Sequence, residues 1–332
     1  MKTIFAIDFG SSNTTIYKRQ YGIVLKEPTL VAVNEEDGDM KIKEYGISAK
    51  KMFGKTDFET LFVSPVLNGI IVNFKLAQNL LANFLGKVKE QGERFDILFT
   101  LPCGLNEEEL LNFKNLGLTV GAEKVYFAPA VLTSLLGADV NVEHANGYLS
   151  LNMGGGTVNI GICSLNSVID GMTIGFGGNK IDEAIRIYAE NCLELQISMS
   201  TAEKLKNEVG SLFDNDTTNM EINGVDERTK NPRTEVVEAS QLKDTLEFYF
   251  QKVYYAIKLI LNNATPDIIS DISINGIIVT GGLANIIGLE NYLSKNLNLP
   301  VTIVEDPTNA VIIGAGKIIA DNKTLKTIIE NC

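Results

Sequence analysis

The chain has 332 residues, 45% hydrophobic and 21% charged, with a formal net charge of −12. Its length supports two sizeable domains, and its composition is that of a soluble globular protein. The acidic balance argues against nucleic acid as a partner and against broad attraction to anionic lipid, since both need a positive surface.

Residues 4–17 read as an apolar strand, a tight turn Gly10-Ser11-Ser12-Asn13, and a second strand. Residues 22–25 and 29–33 are also strand-like. Residues 34–67 are more polar and read as a small irregular insertion. Within them, 41–55 hold five lysines and one glutamate, which make either a solvated face or a patch for a partner or membrane. Apolar residues at 74, 76, 77, 80, 81, 84, 85 and 88 make a helical stripe. A strand over 96–101 stops at Pro102, and Asn106 caps a helix over 107–116 whose early glutamates suit its positive end. A short strand at 125–127 precedes a helix over 129–137. This alternation predicts a layered α/β domain.

The second half opens like the first. Residues 147–162 form strand, turn and strand around Gly154-Gly155-Gly156-Thr157. A glycine turn at 175–178 feeds another helix. Residues 201–250 are richer in charge and look like a second insertion, overlapping a long helix over 240–261. A strand over 271–280 runs into Gly281-Gly282, with a helix from about Asn285. Asp306-Pro307-Thr308 caps a last helix containing Gly314-Ala315-Gly316. The halves are expected at 1–145 and 146–332, with insertions at about 33–67 and 185–250. The last helix, at about 308–321, is expected to pack back on the first half.

Turns of glycine and small hydroxyl residues leave N–H groups unpaired and admit a phosphate. Two of them, 144 positions apart, predict two related domains gripping one polyphosphate from opposite sides. Neither is a Walker loop or a dinucleotide fingerprint. Asp8 sits where a carboxylate holds Mg²⁺ through water, or where it caps turn amides. Its counterpart in the second copy is the uncharged Asn152. Gly281-Gly282 either let a base or ribose approach or form a plain strand-to-helix turn. Glu203 and Lys206, three apart on a helix, either bond a ribose and stack on a base or form a surface ion pair.

Cys103, Cys163, Cys192 and Cys332 lack paired spacing, so neither a disulfide framework nor a zinc site is expected. The lone histidine, His144, precedes a predicted turn and argues against His-based nucleophilic catalysis. The sequence opens straight into a strand at Thr3, so no signal peptide is expected, and without a run of about 18 apolar residues no transmembrane helix is expected.

These pieces, in this order, resemble the superfamily of actin, sugar kinases and heat-shock chaperone ATPases, and within it MreB, the bacterial actins. The resemblance runs through IFAIDFGSSNTTIY, GIVLKEPTLVAV, PVLNGIIVNF, NMGGGTVNIGI, FGGNKIDEAI, TAEKLKNEVGS, GIIVTGGLANIIGLE and DPTNAVIIGAGK. It implies an actin-like fold, two duplicated domains and four subdomains around a nucleotide cleft. It implies ATP or ADP with Mg²⁺ at Asp8. Gly10, Ser11, Ser12, Asn13 and Gly154, Gly155, Gly156, Thr157 would hold the phosphates, with Glu203, Lys206, Gly281 and Gly282 at the adenosine. It also implies self-assembly into paired protofilaments with a role in cell shape, in the cytoplasm.

Three positions depart from the family pattern. Where MreB carries Glu-Glu-Pro, its second glutamate positioning the attacking water, this chain has Pro129-Ala130-Val131. The aspartate of the second turn is Asn152, although Thr157 is kept. The adenine turn lacks its third glycine and reads Gly281-Gly282-Leu283. Losing a water-positioning group costs about 10²–10⁴ in rate. The expectation is a nucleotide-binding filament protein with very weak or absent hydrolysis, similar to the extra MreB copies of wall-less helical bacteria. The alternatives are a small-molecule kinase or phosphotransferase, which Ala130 and Asn152 disfavour, a chaperone-like ATPase, which would need a further peptide-binding domain, and a monomeric regulator of another filament. The loop that anchors many relatives to membranes, here 89–95, offers only Phe95. Direct membrane binding is therefore expected to be weak or absent, leaving attachment to partner proteins.

Overall fold

The structure is a computed structural model and describes residues 2–36, 39–56 and 59–331. Cys332 lies outside these residues.

Two five-stranded sheets form the frame, and they are copies of one another. The first runs Val125–Pro129, Phe95–Leu101, Thr3–Phe9, Asn13–Lys18 and Gly22–Pro28. The second runs Val301–Ile303, Ile277–Thr280, Tyr148–Met153, Val158–Ser164 and Ser167–Ile174. In each, three strands are parallel, the fourth returns antiparallel to them, and the fifth reverses again. The match extends to single residues. Phe9 pairs with Thr14 around the first turn, and Met153 pairs with Val158 around the second.

Strand Thr3–Phe9 is apolar on both faces because both are covered. Phe5, Ile7 and Phe9 join the core under helix Phe74–Val88, whereas Ile4 and Ala6 face helices Ala130–Gly137 and Ala310–Ala320. The stripe on Phe74–Val88 buries Leu76, Leu80, Leu81, Phe84 and Leu85, worth about 1.5–3 kcal/mol for each large side chain. Asn73 caps this helix, and Asn106 with Glu109 forms a capping box on Glu107–Thr119.

Helix Ala310–Ala320 lies against Ala130–Gly137 backbone to backbone. A Cβ on Gly314 would come within 2.7 Å of the Thr133 carbonyl carbon, and one on Gly137 within 2.6 Å of the Ala310 carbonyl carbon. The same cluster takes in Leu98 and Ala128 from the first sheet and Cys163 from the second, so this helix pair packs on both sheets.

Several elements differ from the sequence reading. The small insertion is not irregular. It holds the three-stranded sheet Asp39–Tyr45, Val31–Glu36, Thr60–Val63 and the helix Gly46–Met52. The second insertion carries a matching sheet, Leu195–Gln196, Asn219–Asp226, Pro232–Glu238. The strand expected from Asp271 is a helix, Pro266–Asn275, and the strand begins only at Ile277. Pro266 opens that helix, and Gly276, at φ 71, ends it against the Pro300 carbonyl. After Thr280 comes a single tight turn, Gly282–Asn285. The α-helix waits until Leu289, because Gly288 at φ 80 interrupts. Asp306 does not cap the helix at 310. It accepts from the Asn309 side chain instead, and Asn309 takes the cap position. That helix is not the last, for Asp321 accepts from the N–H groups of Lys323 and Thr324 and opens helix Asn322–Asn331.

Candidate functional site: a cleft between the two sheets

A cavity of about 500 Å³ opens where the carboxyl ends of strands Thr3–Phe9 and Tyr148–Met153 face each other. This is ordinary for a small-molecule site. Its lining includes Asp8, Gly10, Ser11, Ser12, Asn13, Ala130, Asn152, Gly154, Gly155, Gly156, Thr157, Glu203, Lys206, Gly281 and Gly282. Every site residue picked out in the sequence therefore meets in one space.

The turns close by the same bond in each copy. Gly10 N–H donates to the Asn13 carbonyl at 3.1 Å, and Gly154 N–H to the Thr157 carbonyl at 2.8 Å. The turns also interlock. A Cβ on Gly155 would lie 2.7 Å from the Ser12 Cβ, and one on Gly156 2.5 Å from the Ser11 Cβ. Ser12 Oγ donates to Asn179 Oδ1 at 2.7 Å, tying the first turn to the helix Gly178–Leu193 of the other half.

Side chains directly opposite in a sheet share a face, so the strand register sets two rows, of which all but Thr280 and Thr173 line the cleft floor. In the first half the row is Thr100, Asp8, Thr15, Lys26. In the second it is Thr280, Asn152, Asn159, Thr173. Thr100 Oγ1 donates to Asp8 Oδ1 at 3.1 Å, and Thr280 Oγ1 to Asn152 Oδ1 at 3.3 Å. Burial pushes the Asp8 carboxyl up to about 6, against the bond from Thr100 and the charge of Lys26. In the second row Thr173 donates to Asn159 Oδ1 at 2.7 Å, and Asn159 Nδ2 donates to Thr157 Oγ1 at 3.2 Å. The first row carries a carboxylate and an amine, and the second carries no charge.

Ala130 is the first residue of helix Ala130–Gly137 and brings only a methyl group to the cleft. Glu203 and Lys206 do not pair with each other. Lys206 is buried and meets Asp182 at 2.7 Å; burial pushes the Asp182 carboxyl up, against the pull of Lys206. Glu203 is half-exposed and meets Lys50 of the small insertion at 3.5 Å, linking that insertion to the other half. Gly281, at φ 87, packs on the Met153 backbone, and the face of Gly282 is open to the cavity. The sequence reading missed Lys26, Thr100, Asn159, Thr280 and Asp182. Strand register alone identifies the first four.

The donor set suits a polyphosphate with one divalent cation. The glycine turns leave room at the backbone, and Asp8 offers one buried carboxylate whose charge calls for a cation nearby. Among the described residues no cluster of three or more metal-ligating side chains occurs. His144 is exposed and is not among the residues that line the cleft. Phe95 is buried at the start of its strand, so loop 89–95 offers no apolar side chain to a membrane. Among the described residues no helix is long and apolar enough to cross one.

Paired sheets of this topology, with two glycine turns meeting in the cleft between them, define an actin-like protein. The chain belongs to the MreB/Mbl family, whose model matches residues 2–327. It is 29% identical over 322 residues to the cell shape-determining protein MreB of Escherichia coli K12, covering 94% of this chain and 92% of that protein. The crystal structure of MreB5 of Spiroplasma citri bound to AMPPNP matches with a TM-score of 0.92 at 30% identity, over 100% of this chain and 99% of that one. A companion structure of MreB5 holds ADP. The fold is also that of the MamK double helical filament, at TM-score 0.81 and 18% identity, over 97% of this chain and 99% of that one.

Proposed function

We propose that this chain is a nucleotide-binding, filament-forming bacterial actin that binds ATP or ADP with Mg²⁺ and hydrolyses ATP very slowly or not at all. The observation that carries the reading is the duplicated turn and row in each half, closing on one cavity. The MreB5 structures, which hold AMPPNP and ADP, support nucleotide binding. Family membership and the MamK filament support self-assembly. A role in cell shape or motility follows from the relatives. The net charge of −12 and the buried Phe95 favour filaments in the cytoplasm that reach a membrane through partner proteins.

In this reading the phosphates lie against Gly10–Asn13 and Gly154–Thr157, with the adenosine over Gly281 and Gly282. Asp8 would hold Mg²⁺ through water, and the metal would neutralise phosphate charge. Thr157 accepts from Asn159, which leaves its own hydroxyl proton for a phosphate oxygen or a water. Ala130 can neither orient a water nor accept its proton, and Asn152 can hydrogen-bond but adds no negative charge.

Phosphate release with Mg-ATP, beside electron microscopy with ATP, with ADP and without nucleotide, tests both parts. We expect filaments, and release far below that of Escherichia coli MreB. Ala130→Glu with Asn152→Asp should raise release by about 10². Monomers under every condition would overturn the filament reading. Release equal to that of the relative would overturn the loss of hydrolysis.

A further inference from the structure

Lys26 stands at the end of the charged row. It pairs with Thr15, which pairs with Asp8, so three neighbouring strands carry these side chains on one face. Strands lie about 4.8 Å apart, which puts the Lys26 backbone about 10 Å from that of Asp8. A lysine stem spans most of that gap. All three residues line the cavity.

The cavity lining holds two lysines, and they are placed differently. Lys206 is buried and taken up by Asp182. Lys26 is exposed, and its amine donates at 2.7 Å to the neutral oxygen Oδ1 of Asn309. Among the described residues no carboxylate reaches it within ion-pair distance. Asn309 in turn donates to Asp306, which fixes its amide so that the oxygen faces Lys26. The position equivalent to Lys26 in the second half is Thr173, which spends its hydroxyl on Asn159. Among the described residues that line the cleft, a triphosphate therefore meets one lysine without a carboxylate in ion-pair contact, and it lies in the first half.

We propose that Lys26 carries the charge on which the phosphate chain of a bound nucleoside di- or triphosphate rests, held toward it by Asn309. This rests on the nucleotide-binding reading above. The competing role is a strut that ties strand Gly22–Pro28 to the cap of helix Ala310–Ala320. A strut supports every ligand alike, whereas a phosphate-holding charge supports only phosphorylated ones.

The test is calorimetric titration of wild type and Lys26→Met with ATP, ADP and adenosine, in Mg²⁺ and in EDTA. The expected result is an ATP and ADP affinity lower by about tenfold or more, the size of one charge-assisted hydrogen bond, with adenosine affinity within about twofold. The loss is larger in EDTA, where the amine has no metal to share the charge. ATP binding to the variant also weakens less steeply with salt, and Lys26→Arg restores most of the affinity. Unchanged ATP affinity in Lys26→Met, or an equal loss for adenosine, overturns the proposal. A wild-type protein that binds ATP no better than adenosine overturns the nucleotide reading itself, and this inference with it.

Discussion

Asp8 and Asn152 occupy the same register position in two copies of one sheet. Each is flanked on the parallel strand by a threonine, Thr100 or Thr280, whose hydroxyl donates to it. That flank is matched, whereas on the other side Asp8 has Thr15 and Lys26 where Asn152 has Asn159 and Thr173. Replacing the carboxylate with an amide at the second position removes the cost of burying a second charge there.

Asp8 should impose a pH dependence on the ligand-free protein. Its folded value is about 6, against an ordinary 3.8. The folded state therefore holds the proton more tightly than the unfolded state. Stability from this group is fully present below pH 4 and falls as pH rises to about 6. Above that the contribution, on the order of 2–3 kcal/mol, is gone. Denaturant titration at pH 4 and pH 7 should show a larger drop in wild type than in Asp8→Asn. Equal drops would mean that Asp8 is solvated.

Gly155→Ala should drive the two turns apart, because its new Cβ meets Ser12. We expect ATP affinity to fall by about tenfold or more, with Ser12→Gly in the same chain recovering part of it. Coupling between the two changes is the readout. Strict additivity would mean that the turns do not interlock in solution.

Much of this was legible from residue order, and the exceptions have a physical pattern. The hairpins, their turns and the stripe on Phe74–Val88 depend on neighbours within one element, so periodicity shows them. Lys26, Thr100 and Asn159 enter the cleft, and Thr280 reaches Asn152 behind it, only through pairing between strands, which single-strand patterns do not record. The last turns of helix Pro266–Asn275, from Asp271, read as strand because their isoleucines continue into those of Ile277–Thr280, although Pro266 and Gly276 bracket the helix. Glu203 and Lys206 share a helix, yet their partners, Lys50 and Asp182, come from elsewhere in the fold.

Glycines at the helix crossing should prove unequal. Gly314→Ala sets a methyl against the Thr133 carbonyl and should cost about 2–3 kcal/mol or more in thermal unfolding. Gly86→Ala, in helix Phe74–Val88 with open space around it, should instead stabilise by roughly 0.5–1 kcal/mol. A similar shift for both would show that the helices stand further apart than described.

The Lys50–Glu203 bridge should act on ligand exchange more than on stability. Both side chains reach solvent, so the pair contributes at most about 1 kcal/mol. Glu203→Gln and Lys50→Gln should each speed release of a fluorescent ATP analogue roughly twofold to fivefold, with the double variant no faster. If only Glu203→Gln has an effect, Glu203 touches the ribose and the bridge is incidental.

The unequal rows also bear on what happens when such a cleft opens. Both fixed charges of the strand rows belong to one jaw, whereas the row of the other jaw holds dipoles alone and its nearby Lys206 is already paired with Asp182. Dipolar contacts weaken faster with separation than charge–charge contacts do. A polyphosphate would therefore part from the second jaw first and stay aboard the first, so that a subunit could flex within a polymer without losing its passenger.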